Sequence, residues 1–352
     1  MRRGWPAIAL AAAAGGCFSP EARDGLPCSE AGDCPPGQSC QLGTCSGEPV
    51  VIDASIADAP PPDAAVPPAL FGAVEFVPLT CPMAMPCLDV RDPFVVAEGT
   101  TILFTFVANP AIADHNVMYA SRASTDVPFN QAASLGAINS TLTEHSPSLS
   151  PDGATLWFAR ENLSSGAGVR PYNQILVSVR PGGVGPFDTA AEVLGAVNTQ
   201  LGDERSAQVS ASATWMLFTR SSEKAMLDHD VYLTRFEGGQ WNTVERVAAL
   251  SAAGKNDRSV ALVEDLRTVF FIRDEQIHEA IWLGDAPTDI ALEVVHEELD
   301  ATPLDNKVGL WVSPDGSEIW FDSGRSGAQQ IYRAVRGALT SSGGRIRRRP
   351  MP

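Results

Sequence analysis

Residues 147–158 read PSLSPDGATLWF, and this stretch decides the fold because degenerate copies of it recur along the 352-residue chain. Its centre, SPDG at 150–153, favours a tight turn, since proline presets φ and glycine accepts a positive φ. The segment that follows is β-branched and aromatic, as is typical of a strand. The stretch therefore predicts a β-hairpin.

Five copies of this hairpin align on their last aromatic residue. These residues are Phe104, Phe158, Phe218, Phe271 and Phe321, with spacings of 54, 60, 53 and 50. Units of this length, made of short strand-like segments without helical periodicity, indicate radial repetition. Counting back eleven residues from each aromatic residue predicts that the innermost strands start at Pro93, Pro147, Ala207, Val260 and Leu310.

Further strands follow each hairpin. The third strand is clear at residues 116–122, 174–180, 230–235 and 330–336, and the fourth at residues 135–139 and 194–198. Together these patterns predict an all-β fold, a five-bladed β-propeller with four-stranded antiparallel blades. A six-bladed ring, with one degenerate blade, is the alternative.

The two ends of the repeat region complement each other. The last unit has three predicted strands and ends at Arg336, whereas an extra strand at residues 73–79 precedes the first unit. We predict that this N-terminal strand completes the last blade and closes the ring, because closure removes an open sheet edge.

The hairpin repeats resemble a known family. The copies at 150–158 and 313–321, with their third strands, look like the WD40-like or TolB-like propeller repeat of bacterial envelope proteins. This resemblance implies the propeller fold. It implies no particular activity, because such rings carry enzymes, scaffolds and binding platforms.

The N-terminus has the pattern of an export signal. Arg2 and Arg3 precede an apolar run at residues 7–14, and two glycines precede Cys17. Small residues before a cysteine resemble a bacterial lipobox, which implies that Cys17 is lipidated. We therefore predict an exported protein, held by a lipid anchor at the cell envelope, on the outer membrane or the cell surface.

Cysteine usage fits this location. Six cysteines can pair in an oxidising compartment and leave Cys17 over: Cys28, Cys34, Cys40, Cys45, Cys81 and Cys87. The first four lie in a segment too short for a core of its own, which resembles the small cysteine modules of bacterial surface lipoproteins. A bridge between Cys81 and Cys87 would make a stiff loop at the rim of the ring.

Composition sets the predicted domains. They are a signal peptide at 1–16, a lipidated and disulfide-rich spacer at 17–45, a linker rich in proline, alanine and aspartate at 46–69, the propeller at 70–338, and a disordered basic tail at 339–352. The formal net charge of -17 excludes a nucleic-acid groove. The basic run at 345–349 is expected to be solvated.

The residues before each innermost strand are the candidate site, because they should meet at one mouth of the central channel. In blade order they read Val90-Arg91-Asp92, Glu144-His145-Ser146, Glu204-Arg205-Ser206, Asp257-Arg258-Ser259 and Lys307-Val308-Gly309. Such a ring of mixed charge could bind a polar ligand, or a structural cation through its carboxylates. Alternatively, each acid pairs with a base of the neighbouring blade and holds the ring together.

Function follows from this rim. We predict a non-catalytic binding platform, without a cofactor, for an envelope protein or a glycan. Its ligand-binding rim would consist of Arg91, Asp92, Glu144, His145, Glu204, Arg205, Asp257 and Arg258. The sequence contains no G-x-S-x-G, H-E-x-x-H, P-loop or dinucleotide fingerprint.

A hydrolase is the alternative. Residues 91–95, with Gly99, are similar to the first-blade motif of five-bladed glycoside hydrolases, which implies Asp92 as general base. The same resemblance would place the catalytic acid at Glu204. Ser146 stands where that family has a second-blade aspartate, so the motif is incomplete.

Overall fold

The computed structural model describes residues 69–337 with gaps at 83–84, 97, 110–113, 163–171, 181–184, 194, 200–201, 222–227, 284–287 and 301–304, and the backbone of 39–41 and 44–46. The chain divides into two compact units, Met1–Ala64 and Ala65–Pro352. In the first unit, β1 (Ser39–Gln41) and β2 (Thr44–Ser46) pair antiparallel, with Cys40 opposite Cys45. The predicted signal peptide, Cys17 and the predicted disulfides of Cys28, Cys34, Cys40 and Cys45 lie outside the described residues and side chains.

The second unit is built from short strands. In chain order they are β3 (Glu75–Phe76), β4 (Thr80–Cys81), β5 (Met85–Pro86), β6 (Val90–Val96), β7 (Thr101–Asn109), β8 (Asp114–Ser121), β9 (Ala133–Ser134), β10 (Glu144–Leu149), β11 (Thr155–Asn162), β12 (Tyr172–Val179), β13 (Ala191–Glu192), β14 (Asp203–Val209), β15 (Trp215–Ser221), β16 (His229–Glu237), β17 (Gln240–Arg246), β18 (Asp257–Val263), β19 (Thr268–Arg273), β20 (Gln276–Trp282), β21 (Ile290–Val295), β22 (Leu310–Val312), β23 (Glu318–Ser323) and β24 (Gln330–Val335). Short 3₁₀ turns lie at Ala248–Leu250, Glu264–Leu266 and Glu297–Leu299. Within the described residues, no helix has the length and hydropathy needed to cross a bilayer.

Five four-stranded antiparallel sheets confirm the predicted five-bladed propeller. Blades 1 to 4 are β6-β7-β8-β9, β10-β11-β12-β13, β14-β15-β16-β17 and β18-β19-β20-β21, and blade 5 is β22-β23-β24-β3. The first strands of successive blades contact one another, and β22 contacts β6, so these strands surround the central channel. The predicted ring closure is also confirmed, because β24 pairs with β3 through Tyr332 opposite Phe76 and Arg333 opposite Glu75.

The aromatic residues used to align the repeats form the centre of the core. Each lies in the second strand of its blade and is at most 1% exposed: Phe104, Phe158, Phe218, Phe271 and Phe321. A second strand is covered on both faces by neighbouring blades, so burying a large apolar side chain there stabilises the blade-to-blade packing. The regular spacing of these residues thus reflects the stacking of blades.

The innermost strands start earlier than the sequence predicted in four blades. They begin at Val90, Glu144, Asp203 and Asp257, three or four residues before the predicted starts. A β-bulge explains the difference: residues Asp92, Ser146, Ser206 and Ser259 adopt positive φ of 49° to 52°, and pairing continues on both sides of them. The candidate residues therefore lie within these strands rather than before them.

The fourth strands of blades 1 and 2 also differ from prediction. They are Ala133–Ser134 and Ala191–Glu192, whereas residues 135–139 form a turn that ends in Asn139. The Asn139 amide accepts a hydrogen bond from the Val117 N–H at 2.8 Å and donates to the Val117 carbonyl at 2.8 Å. Asn198 does the same for Ile175. The asparagines thus satisfy backbone groups that a longer strand would have paired.

The aspartates of the repeated turn have a local structural role. In blade 2, Asp152 accepts hydrogen bonds from the Ser150 hydroxyl at 2.5 Å and the Ala154 N–H at 2.9 Å. In blade 5, Asp315 accepts equivalent bonds from Ser313 and from the Ser317 N–H. These bonds fix the turn between the first two strands of each blade.

A disulfide fixes the loop ahead of blade 1. Cys81 and Cys87 are bridged, with their Cα atoms 4.9 Å apart, which confirms the pairing expected for this loop. Both cysteines are buried, and the Gln330 amide of blade 5 donates to the Cys87 carbonyl at 3.0 Å. The bridge therefore lies where the closing segment passes from blade 5 to blade 1.

Candidate functional site

The predicted rim acids of blades 2, 3 and 4 are buried inside their own blades. Each accepts a hydrogen bond from the Nε–H of an arginine on the second strand: Glu144 from Arg160 at 2.8 Å, Glu204 from Arg220 at 3.0 Å and Asp257 from Arg273 at 2.5 Å. All three carboxylates are 0% exposed. The arginines lie over the aligned aromatic rings: Arg160 over Phe158, Arg220 over Phe218 and Arg273 over Phe271.

This arrangement replaces the expected pairing between neighbouring blades. The three acids join strands of one blade, and they also hold the segment that enters that blade. Glu204, for example, accepts hydrogen bonds from the Thr199 hydroxyl at 2.8 Å and the Thr199 N–H at 3.2 Å. The repetition of the same ion pair in three blades indicates a structural role, and the buried carboxylates leave no face for a ligand.

Arginines lie at the mouth of the channel in three blades. Arg205 and Arg258 directly follow the buried acids of blades 3 and 4 in the sequence, and Arg91 is their counterpart in blade 1. Arg91 donates to Asp89 at 2.9 and 3.2 Å, and Arg205 lies 2.7 Å from Asp203. Both arginine side chains keep about a third of their surface exposed, 33% and 34%. Arg258 has no such carboxylate: among the described residues, none lies within ion-pair distance of it.

An amide takes the place of the acid beside Arg258. With the Asn256 side chain turned so that its oxygen faces the arginine, that oxygen accepts hydrogen bonds at 3.2 and 3.0 Å. Burial lowers the pKa of the Arg258 guanidinium; the charges of Glu275, Asp322 and Asp92, none of them within ion-pair distance, oppose this shift, and Arg205 adds to it. Arg258 is thus a desolvated cation whose contact is a neutral group.

His145 belongs to a buried hydrogen-bonded chain at the same mouth. Its ring nitrogens lie 2.9 Å from the Ser146 hydroxyl and 2.9 Å from the Asn173 amide oxygen. The Asn173 amide donates in turn to Asp203 at 2.6 Å. Burial lowers the pKa of His145 to about 4, and Arg205 contributes to this shift, so the ring is neutral at physiological pH. Asn173, which His145 contacts within blade 2, therefore links blade 2 to Asp203 of blade 3.

Asp92 connects three blades near the channel axis. Its carboxylate accepts hydrogen bonds from the Thr105 hydroxyl at 2.9 Å and the Ser146 N–H at 3.2 Å, and its own N–H donates to Asp322 at 2.9 Å. Burial raises the pKa of Asp322 to about 7, and the charge of Asp92 adds to the shift. Asp92 and Asp322 are therefore neighbours. Glu204 is hydrogen-bonded to Thr199 and Arg220 instead, and to neither aspartate.

A cation site finds no support in this geometry. Among the described residues, no three His, Cys, Asp or Glu side chains come together as a set of metal ligands. The oxygens of Asp92 and Asp322 instead face N–H and O–H donors. These donors occupy carboxylate oxygens that a metal ion would need as ligands.

Some residues of the mouth escaped the sequence prediction. Asp89, Asp203 and Asn256 precede the arginines by two positions, and His115 lies with its ring 6.4 Å from that of His145. The available signal was the spacing Asp-x-Arg at 89–91 and 203–205, because residues two apart on a strand point to the same face. The contribution of Asp322, 230 positions after Asp92, has no local sequence signal.

The chain was compared with protein families, curated proteins and solved structures. No protein-family profile and no curated protein sequence matches the chain. Similar solved structures include an endo-arabinase from Bacteroides thetaiotaomicron (15% identity, TM-score 0.47, covering 76% of this chain and 99% of that one). An α-L-arabinofuranosidase from Lactobacillus brevis has 12% identity and a TM-score of 0.47, covering 70% and 90%.

The family suggested by the hairpin repeats is also represented. The putative TolB from Agrobacterium tumefaciens has 13% identity and a TM-score of 0.41, covering 77% of this chain and 91% of that one. The β-propeller, which its own five sheets establish, thus has a TolB-like structural neighbour. At these identities and TM-scores, neither the glycosidases nor TolB provides an argument about activity.

Proposed function

We propose that this protein is a non-catalytic, lipid-anchored component of the cell envelope whose propeller binds an anionic group of an envelope protein or glycan. The binding place is the channel mouth around Arg91, Arg205 and Arg258. The export-like N-terminus and Cys17 support the location, and the disulfide of Cys81 and Cys87 fits an oxidising compartment.

The observation that carries this proposal is the environment of Arg258. Arg91 and Arg205 each have a carboxylate two residues away, whereas the contact of Arg258 is the neutral Asn256 amide. A carboxylate or phosphate placed there would gain charge-assisted hydrogen bonds from a partly desolvated guanidinium.

The same geometry favours binding over glycoside hydrolysis. A hydrolase needs two carboxylates that face the substrate from opposite sides of the bond that breaks. Asp92 is at the mouth, but Glu204 is 0% exposed and paired with Arg220. Burial raises the pKa of Glu204 to about 7. A raised pKa suits a general acid, yet the buried carboxyl matches those of blades 2 and 4 in position and in partner.

Calorimetric titration tests the proposal. The purified protein is titrated with inorganic phosphate, an acidic peptide and a uronic-acid oligosaccharide at low and high salt. We expect at least one anion to bind, and Arg258→Gln to weaken that binding by about tenfold or more, the usual effect of losing one charge-assisted hydrogen bond. Arg246→Gln is the matched control, because Arg246 lies on β17, the outermost strand of blade 3, and pairs with Asp230.

The outcomes separate the two functions. Failure of every anion to bind, or equal effects of the Arg258 and Arg246 substitutions, would overturn the binding proposal. Sugar release from a polysaccharide panel that disappears in both Asp92→Asn and Glu204→Gln would establish the hydrolase instead.

A further inference from the structure

A cavity of about 580 Å³ lies at the other end of the central channel. Its wall includes a residue from the end of each innermost strand: Val96, Leu149, Val209, Leu262 and Val312. The half-buried indole of Trp311 adds an aromatic surface. The cavity is therefore a second mouth of the propeller, with an apolar wall shared by all five blades.

The edge of this second mouth is acidic. Five carboxylates line it against two guanidinium groups, which leaves an excess of three negative charges: Glu98, Glu264, Asp265, Asp315 and Glu318 against Arg122 and Arg333. Arg333 pairs with Glu318 at 2.7 Å. In the described part of the chain, no lysine or arginine lies within ion-pair distance of Glu98, Glu264 or Asp265. An apolar wall with such an edge suits a cationic segment that also carries an apolar residue.

The described chain ends beside this cavity. The Arg336 N–H, one residue beyond β24, donates to the carbonyl of Ser317 at 2.7 Å, and Ser317 lines the cavity. Arg345 follows Gly337 by eight residues, which can span about 26 Å when extended. The tethered segment therefore reaches the second mouth, and the tether raises its local concentration there.

The chain itself contains a segment of the required chemistry. Residues 345–349 read RIRRR, four arginines and one isoleucine, in a protein whose net charge is -17. We infer that this run binds in the cavity of the second mouth, with guanidinium groups on Glu98, Glu264 and Asp265. Trp311 offers a face for one arginine by cation–π contact. The sequence alone gave no partner for this run, and the inference is independent of the proposed anion site at the first mouth.

Zero-length cross-linking tests this inference on the full chain. Arg347→Lys and Arg348→Lys together keep the charge and supply amines that a carbodiimide couples to carboxylates in contact. We expect mass spectrometry to find bonds from positions 347 and 348 to Glu98, Glu264 or Asp265. These bonds should fall at least severalfold in 0.5 M salt, because screening weakens exposed charge pairs. The existing pair of Lys255 and Asp274 reports that the coupling works.

Isotope mixing and matched variants decide between occupants. In an equal mixture of labelled and unlabelled protein, bonds within one chain support the inference, whereas mixed-label pairs would assign the cavity to the tail of a second copy and overturn it.

Matched variants test which carboxylates are involved. Glu264→Gln with Asp265→Asn should redirect or remove the cross-links. Glu192→Gln with Glu245→Gln, which change two exposed acids of outer strands, should leave the cross-links unchanged. Bonds scattered over all exposed carboxylates, or none beside an intact Lys255–Asp274 bond, would also overturn the inference.

Discussion

Gly309 of blade 5 lies directly against the backbone of Asp92 in blade 1. A Cβ atom at position 309 would stand 2.4 Å from the Asp92 Cα and 2.7 Å from its Oδ1. The N–H groups of both residues donate to the same oxygen of Asp322, Gly309 at 2.7 Å and Asp92 at 2.9 Å. The first and last blades thus meet through backbone contact, and one buried carboxylate joins them.

Substitution of Gly309 by alanine should therefore weaken ring closure. The nearest atoms belong to backbone, which cannot move aside cheaply, so we expect the free energy of unfolding to fall by about 1–3 kcal/mol. Urea denaturation measures the change. Gly136→Ala is the control, because no atom lies within 4 Å of a Cβ built at position 136. Equal stability of the two variants would contradict the close approach.

The sequence predicted those parts of the fold that depend on a repeated local pattern. Phe158 and its counterparts are spaced by the length of a blade, and each must be large and apolar because it packs between two sheets. Ring closure was predictable for the same reason, since a three-stranded final unit leaves an edge that residues 73–79 can cover.

The candidate site was harder to predict because its geometry depends on backbone detail. The bulge at Ser146 and its counterparts places Glu144 inside the blade and His145 at the mouth, and no propensity rule signals a serine with positive φ. The partner of Glu144 is Arg160 on the next strand, opposite it in register. Register fixes that pair, whereas the sequence suggested pairing with a base of the neighbouring blade.

The pair of Asp92 and Asp322 should make stability depend on pH. Folded Asp322 keeps its proton up to about pH 7, whereas a free aspartate ionises near pH 3.9, so this group lowers the free energy of unfolding as pH rises between these values. Asp92→Asn removes the neighbouring charge and should flatten that decline, as measured by urea denaturation from pH 4 to pH 8. Asp188→Asn, at an exposed position, should give a curve parallel to the parent protein. A parallel curve for Asp92→Asn would contradict the coupling.

Lipidation of Cys17 predicts membrane association. Cys17→Ser removes the acceptor thiol, so we expect the protein to move from the membrane fraction to the soluble fraction after cell lysis and ultracentrifugation. The structural disulfide is the proper control. Cys81→Ser with Cys87→Ser should leave the fractionation unchanged and lower the free energy of unfolding by about 2 kcal/mol, the value expected for a loop of this length. Unchanged fractionation of Cys17→Ser would refute the anchor.

Two buried histidines should respond to pH in opposite directions. His296 lies between Glu279 and Glu298, at 2.9 and 2.8 Å. Burial alone would lower its pKa, but hydrogen bonds to the two glutamates outweigh burial and raise the pKa. Its stabilising effect is therefore complete below about pH 6.5 and is lost as pH rises through the folded pKa. His145 has a lowered pKa of about 4, so its effect is complete above pH 6.5 and is lost as pH falls toward 4.

Urea denaturation of His296→Gln and His145→Gln at pH 5, 7 and 9 tests this opposition. For His296→Gln, the loss of unfolding free energy relative to the parent protein should be larger at pH 5 than at pH 9. For His145→Gln, the loss should be smaller at pH 5 than at pH 7, by up to about 2 kcal/mol, because pH 5 lies about 1.5 units below the free histidine pKa. Each variant is the other's control, since a general effect of removing a buried ring would move both in one direction. The same sign for both would show that the carboxylates around His296 do not hold its proton.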